Sequence, residues 1–237
     1  MLANPRAWLA EAVATFCLVF FGPLSVTIAV VLFGSTLTIE GIIMISAAHG
    51  AAIGIMVYAF GHISGAHINP AVTIAMLATK NIKGKDAAGY IGAQIIGAIV
   101  AALAHMALLP EAGAKVNFGT QGGPSAFLNF SAAAGVGAEI IFTFFLVTTI
   151  FMTAVHKKAA SGMAGIAIGG MIFLIHLVGV PLTGASVNPA RTLGPAIVSG
   201  YWEFHWIYWV GPIVGALIAG FIMNYLYVKK AEKIEPA

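Results

Sequence analysis

The sequence of 237 residues is 60% hydrophobic and only 8% charged. Soluble domains carry about 25% charged residues, so this composition excludes one. The formal charge of +3 does not predict a nucleic-acid partner, because the basic residues lie between long apolar runs and there set membrane topology. The single cysteine, Cys17, lies within the first of these runs, which excludes a disulfide framework and a thiol-rich metal site. We expect the chain to reside in a lipid bilayer.

Six apolar runs are long enough to cross a membrane, which takes about 20 helical residues. Two further runs of ten or so residues would each span ~15 Å, about half of a hydrocarbon core. No strand pattern competes with these helices, so we predict an all-α membrane protein with six transmembrane helices and two re-entrant half-helices in a single domain, 1–237. The six spans are 7–33, 41–60, 86–108, 132–155, 162–180 and 206–228, and the half-helices are 70–79 and 189–199.

The two short runs begin with copies of one nine-residue pattern. The first copy, at 65–73, reads Gly-Ala-His-Ile-Asn-Pro-Ala-Val-Thr, and the second, at 184–192, reads Gly-Ala-Ser-Val-Asn-Pro-Ala-Arg-Thr. Asparagine is a good N-cap and proline is favoured at the first helical position, so each copy predicts an abrupt helix start. Half-helices at corresponding places in two halves of a chain indicate a binding or conduction site near the membrane midplane.

A second repeat marks the start of each half. Ala-Glu-x3-Thr-Phe occurs at 10–16 and again at 138–144. We therefore predict internal repeats over about 1–110 and 131–237, each with three spans and one half-helix. An odd number of spans inverts the second repeat relative to the first, so the half-helices enter from opposite faces and their N-termini meet near the centre.

The basic residues predict the orientation of the chain. Only Lys115 and Arg191 fall on one side of the six-span arrangement. By the positive-inside rule both termini are cytoplasmic, and we expect a multi-pass protein of the cell membrane. The other nine basic residues share the opposite side: Arg6, Lys80, Lys83, Lys85, Lys157, Lys158, Lys229, Lys230 and Lys233.

Paired Asn-Pro-Ala boxes in inverted repeats, with an arginine directly after the second box, resemble the aquaporins of the major intrinsic protein family. Segments 62–67 and 205–212 are also similar to family sequence. The resemblance covers nearly the whole chain, and it implies a homotetramer with one pore in each subunit. It further suggests a prokaryotic or archaeal protein of the water-channel subgroup. That subgroup is matched at Thr192, Ala196, Tyr208 and Trp209.

The two boxes, Asn69-Pro70-Ala71 and Asn188-Pro189-Ala190, carry the expected chemistry of the pore. Each asparagine oxygen can accept from backbone N–H groups at its helix start, which leaves an amide N–H to donate to a passing solute. The helix N-termini add positive potential that opposes cations. The alternative is that both asparagines are plain N-caps. By resemblance, pore carbonyls are expected at Gly65, Ala66, His67, Gly184, Ala185 and Ser186.

The resemblance also places a narrow selectivity filter at His49, His176, Ala185 and Arg191. His176 with Arg191 is similar to the water-selective pattern. His49 departs from it, since phenylalanine is usual there in strict water channels and tryptophan in glycerol facilitators. The polar His49 and the small Ala185 leave the width of the filter and its solute choice open. As histidine titrates near neutrality, we hypothesise that His49 makes solute selectivity depend on pH.

Glu11 and Glu139 are carboxylates within the predicted spans, and such groups are usually paired. They could form a proton relay, but one glutamate in each half matches one re-entrant loop in each half. We therefore predict that each anchors its loop by accepting hydrogen bonds.

The predicted function is a passive water channel. The alternative is a mixed channel for water and a small neutral solute such as glycerol or ammonia. An ion-coupled transporter would also use broken helices, but we find no carboxylate near the boxes to couple an ion. A membrane enzyme would need a reactive cluster that the scattered histidines do not supply, so we expect no catalytic residue and no cofactor. His62 and His67 are five residues apart, unlike the usual zinc pair, and we expect no metal site.

Overall fold

The computed structural model describes residues 4–229, and the regular structure in that range is entirely helical. Six helices within the described residues are long and apolar enough to cross a membrane, which confirms the predicted fold class. They are α1 (Pro5–Phe33), α2 (Ile39–Ser64), α4 (Gly84–Leu108), α6 (Ala132–Ile150), α7 (Ala164–Thr183) and α9 (Ile207–Met223). The half-helices are α3 (Pro70–Ala78) and α8 (Pro189–Ser199), and α5 (Pro110–Ala114) is a single short turn. A π-helical turn extends α6 over Phe151–Val155, and another extends α9 over Asn224–Val228.

Two predicted helix ends were too early. We expected spans to end at 60 and 180, whereas α2 continues to Ser64 and α7 to Thr183. Pro181 is accommodated inside α7, as buried neighbours in membrane proteins allow. Each helix ends where the next residue is a left-handed glycine, Gly65 at φ 83° and Gly184 at φ 81°, a conformation that favours this residue as a C-cap.

The two halves pack face to face around a common centre. In the first half α1 contacts both α2 and α4, and in the second half α6 contacts both α7 and α9. The halves meet along α2 and α7, where a Cβ on Gly50 would lie 2.7 Å from the carbonyl oxygen of Gly169. Only glycine permits this close approach. The interface between the halves is therefore fixed by backbone contact.

Each half-helix packs on a spanning helix of the opposite half. The first half-helix, α3, lies against α9, and the second, α8, lies against α4. The two half-helices also contact each other. The two loops that precede them, 65–69 and 184–188, are thereby brought to the middle of the molecule.

The connection between the halves folds inward rather than simply crossing one face. It contains α5 and two 3₁₀ turns, Asn117–Gly119 and Ala126–Leu128. Phe118 and Gly119 in the first turn are buried. The outer surface of the spans presents exposed apolar side chains such as Leu9, Ile96 and Ile166, which suits a lipid environment. Of the basic residues used to predict orientation, Lys230 and Lys233 lie outside the described residues.

Candidate functional site

The loops before α3 and α8 share an unusual backbone path. Ala66 and Ile68 have φ of 48° and 58°, and the corresponding Ala185 and Val187 have φ of 48° and 49°. Left-handed geometry is unfavourable for such side chains, especially β-branched ones. In each loop, residues with left-handed backbone geometry alternate with residues of negative φ. This alternation keeps the loops extended, so that their carbonyl groups are not part of a helix. Strain of this kind persists only where surrounding contacts fix it.

Glu11 supplies those contacts for the first loop. Its Oε1 accepts from the backbone N–H of His67 at 2.9 Å and from the hydroxyl of Ser64 at 2.7 Å. Its Oε2 accepts from the N–H of Ile68 at 2.7 Å and from the Gln94 amide at 2.8 Å. The carboxylate is fully buried, and four charge-assisted hydrogen bonds offset its loss of water.

Glu139 holds the second loop in the same way. Its Oε1 accepts from the N–H of Ser186 at 3.0 Å and from the hydroxyl of Thr183 at 2.8 Å, and its Oε2 accepts from the N–H of Val187 at 2.8 Å. It lies on α6 as Glu11 lies on α1. Each carboxylate accepts from two backbone N–H groups of its loop, and the remaining hydrogen bonds come from Ser64, Gln94 and Thr183 on the spanning helices.

Two tyrosines close the ends of the helices that lead into the loops. The Tyr90 hydroxyl donates to the carbonyl of Ser64 at 2.7 Å, and the Tyr208 hydroxyl donates to the carbonyl of Thr183 at 2.6 Å. Tyr208 also accepts from the N–H of Gly123 at 2.8 Å. The carbonyls of Ser64 and Thr183 lie at the C-terminal ends of α2 and α7, where helix carbonyls lack a partner within the helix. Each tyrosine hydroxyl supplies that missing hydrogen bond.

The asparagines of the two boxes bind each other's loops. Asn69 Nδ2 donates to the carbonyl of Val187 at 2.6 Å, and Asn188 Nδ2 donates to the carbonyl of Ile68 at 2.9 Å. The side-chain oxygens accept at the helix starts, from Ala71 N–H at 2.8 Å and from Ala190 N–H at 3.0 Å. An amide has two N–H groups, so each asparagine keeps one after bonding across. Two donors and two helix N-termini therefore converge at one depth.

A narrow cavity runs past this point, and we call it the central cavity. Its volume of about 40 Å³ is room for about three waters, at about 10–15 Å³ for each. Polar groups line one part of its wall and branched apolar side chains the rest. The polar part comes from Gly65, Ala66, His67, Asn69, Ser186, Asn188, His49, His176 and Arg191, and the apolar part includes Leu18, Ile53, Val72, Leu146, Ile168 and Ile172.

His49 and Arg191 form one hydrogen-bonded unit at one end of the central cavity. His49 Nδ1 lies 2.8 Å from the carbonyl of Ile45, which can only accept, so this nitrogen carries a proton. His49 Nε2 then accepts from Arg191, at 3.3 Å from Nε and 3.2 Å from a terminal nitrogen. The other terminal nitrogen of Arg191 donates to the carbonyl of Gly119 at 2.8 Å. The guanidinium is thus held from two sides and is buried, not exposed at a membrane surface.

His176 packs against His49 and also lines the central cavity. The two imidazole rings stack with centroids 4.1 Å apart and an angle of 27° between their planes. His176 Nδ1 bonds the carbonyl of Ile172 at 2.9 Å. Its Nε2, which is an acceptor in the neutral ring, is buried and has no hydrogen-bond partner among the described residues.

A wider cavity begins on the far side of Arg191, and we call it the outer cavity. Its volume is about 470 Å³, and its wall includes Gly119, Gln121, Gly184 and Arg191. Arg191 lines both cavities, so a molecule that passed from one to the other would contact this residue.

Not every residue predicted for the pore lines the central cavity. Ala185 is fully buried in the hydrophobic core and Gly184 lines the outer cavity instead. The methyl group of Ala185 lies beside Gly179, where a Cβ would be 2.9 Å away, because its left-handed backbone turns the side chain into the protein. The filter role of Ala185 and the roles of these carbonyls remain predictions.

Sequence reasoning assigned no supporting role to several residues that hold the site in place. Ser64 and Thr183 extend the repeated pattern by one hydroxyl residue, and Tyr90 and Tyr208 follow their boxes at similar spacing. A longer comparison of the two halves could have found all four. Gly119 gives no such signal, since its contact with Arg191 joins residues far apart in sequence and depends on how the connection folds.

Comparison with known proteins agrees with this architecture. Residues 1–223 match the major intrinsic protein (MIP) family. The chain is 43% identical to Aquaporin-4 of Homo sapiens over 192 residues, which are 80% of this chain and 58% of that protein. It is 38% identical to Aquaporin-2 of Rattus norvegicus over 239 residues, which are 99% of this chain and 83% of that protein.

A solved structure has the same fold. The aquaglyceroporin from Plasmodium falciparum superimposes with a TM-score of 0.83 at 20% identity, over 98% of this chain and 100% of that one. The sequence relatives named here are mammalian, so they give no support to the prokaryotic or archaeal type expected from the sequence. With a match over nearly its whole length and a shared fold, this chain belongs to the major intrinsic protein family and is a multi-pass membrane protein.

Proposed function

We propose that this protein is a passive water channel. The observation that carries the proposal is the central cavity, where two half-helix N-termini and the reciprocally bonded Asn69 and Asn188 meet in a space with room for a few waters. Its wall supplies donors and acceptors along one part and apolar surface elsewhere. Water can therefore exchange hydrogen bonds along the wall without being trapped, as conduction requires.

The same geometry opposes ions. Helix N-termini carry partial positive charge, and Arg191, which lines both cavities, adds a full positive charge. A cation would meet both after losing most of its hydration. A water molecule that accepts hydrogen bonds from both asparagines has its own hydrogens directed away from the centre of the pore. This orientation interrupts proton transfer along the row of water molecules.

Water selectivity belongs to the same proposal. His49 and His176 stack 4.1 Å apart beside Arg191, so three polar side chains crowd one end of the central cavity. Two donors of Arg191 are occupied by His49 and one by Gly119, which leaves fewer for a polyol. The alternative is a mixed channel for water and glycerol or ammonia, favoured by the polar His49 in place of an aromatic ring.

We further propose a homotetramer in the cell membrane with both termini in the cytoplasm and no catalytic step. Exposed apolar side chains on the spans support membrane burial. The carboxylates of Glu11 and Glu139 are each engaged with loop donors, which argues against coupling to an ion. The water-channel subgroup is retained in this proposal, and the prokaryotic or archaeal type is not.

Stopped-flow light scattering on reconstituted vesicles tests the proposal, with matched osmotic gradients for water and for glycerol. We expect fast water flux, with glycerol at the rate of vesicles that lack protein. Substantial glycerol flux would support the mixed channel, whereas flux that saturates or needs an ion gradient would contradict a channel.

A pair of variants separates flux through the cavity from leakage around the protein. Ile172 lines the central cavity, and Ile166 on the same helix is 61% exposed on the outer surface. We expect Ile172→Trp to block water flux and Ile166→Trp to leave it unchanged. Equal flux in both variants would place the conduction path elsewhere.

A further inference from the structure

The segment Asn117–Gly119 has a backbone that needs support. Its three residues have φ of 48°, 52° and 77° in succession. Left-handed geometry is unfavourable for Phe118, whereas asparagine and glycine tolerate it better. A run of this kind holds its shape only when the surrounding contacts hold it. The carbonyl at the end of this run, Gly119 O, is the one that accepts from Arg191.

The Phe118 side chain provides the support. The ring is only 7% exposed and lies edge-on to the His105 ring, with centroids 5.5 Å apart and planes at 88°. It occupies space left by Gly113 in α5, where a Cβ would lie 2.5 Å from two ring carbons. His105 is itself fixed, because its Nε2 bonds the Thr27 hydroxyl at 2.9 Å. The phenyl ring thus sits in a pocket built by α1, α4 and α5.

Gly119 links the position of the Phe118 ring to that of Arg191. The glycine lies directly on α1, since a Cβ there would be 2.8 Å from Pro23, so its backbone has little room to move while Phe118 stays in its pocket. Its carbonyl accepts from Arg191 at 2.8 Å, opposite the side held by His49. Without this bond the guanidinium would be held by His49 alone and could swing toward the outer cavity.

We propose that Phe118 is a positioning residue for Arg191, and that its pocket of His105, Gly113 and Thr27 sets how narrow the pore is at the guanidinium. The inference rests on the proposed function, since it concerns the passage of solutes past Arg191. Phe118 lies outside the central cavity wall and acts through the Gly119 carbonyl. Its removal changes which solutes pass rather than only how much protein folds.

The experiment compares two perturbing variants with two matched controls in reconstituted vesicles. Phe118→Ala empties the pocket, and Gly113→Ala pushes the ring out of it. Phe127→Ala removes a ring from the same connection that is 72% exposed. Gly92→Ala adds a methyl group at a position where no neighbouring side chain of the described residues lies within 4 Å. The readout is the ratio of glycerol to water permeability after the permeabilities of protein-free vesicles are subtracted from both, and a lower yield of folded protein leaves this ratio unchanged.

We expect the ratio to rise about tenfold in both perturbing variants, the effect of losing one hydrogen bond to a charged group, and to stay at the wild-type value in both controls. A wild-type ratio in Phe118→Ala and Gly113→Ala, with water flux intact, would overturn the inference. So would failure of both to fold while the controls fold, since Phe118 would then be purely structural. Absence of water flux in the wild type would instead overturn the proposed function.

Discussion

Replacing Glu139 by glutamine tests whether the buried carboxylate anchors its loop or moves protons. In the wild type Oε1 accepts from Thr183 and Ser186 and Oε2 accepts from Val187 N–H at 2.8 Å. Glutamine keeps one oxygen, which can retain the first two bonds. Its NH2 group then faces the N–H of Val187, so two donors meet and neither is satisfied.

The size of the effect follows from these contacts. An orphaned buried N–H costs about 1–3 kcal/mol, and the two remaining bonds lose their charge assistance at about 1 kcal/mol each. Removing a buried charge offsets part of this, so we expect a net loss of about 2–3 kcal/mol. For a chain of this size that lowers the unfolding midpoint by about 5–10 °C.

The measurement is thermal unfolding in detergent, followed by water permeability in vesicles. The control is Glu111→Gln, because Glu111 is an exposed residue in α5. This substitution should change neither the unfolding midpoint nor the water permeability. Because Val187 also supplies the carbonyl that binds Asn69, the Glu139 variant should conduct less water as well. An unchanged midpoint together with a changed proton permeability would refute the anchoring role and support a relay.

Three further predictions concern Asn188, Tyr208 and His205. Asn188→Asp should raise proton and sodium leak, because it places a negative charge between two helix N-termini; unchanged leak in folded protein would count against charge exclusion. Tyr208→Phe orphans a buried N–H and should destabilise the protein by about 1–3 kcal/mol, whereas Tyr225→Phe, 76% exposed, should be silent in thermal unfolding. Burial lowers the pKa of His205 below 6.5, and its neutral Nε2 accepts from Trp209 at 3.0 Å. Unfolding midpoints should therefore fall as pH drops below 6.5, less so in His205→Gln, and equal pH profiles would disprove this.

The hypothesis that His49 makes selectivity depend on pH gains a structural constraint. Both ring nitrogens are engaged, Nδ1 with Ile45 and Nε2 with Arg191. A second proton on the ring would have to displace the guanidinium. The sequence suggested a freely titrating group, because it could not reveal that the partner of His49 would be a permanent cation.

The sequence alone determined the helical elements and their order along the chain. Apolar run lengths predict six spans because a bilayer has a fixed thickness, and the duplicated Asn-Pro starts predict where α3 and α8 begin. These signals are local, since capping and hydrophobic length act within one segment. Helix ends were less well predicted, because Ser64 and Thr183 stay helical through bonds to Glu11 and Glu139 that come from distant helices.

Only the tertiary structure decided which residues hold the loops and which partners bind the polar side chains of the central cavity. Asn69 and Val187 are 118 residues apart and Gly119 and Arg191 are 72 apart, yet each pair shares a hydrogen bond. Such partners are chosen by the packing of α3 on α9 and α8 on α4, which no local pattern encodes. Ala185 points into the core for the same reason, since the direction of a side chain depends on the backbone geometry that Glu139 imposes on its loop.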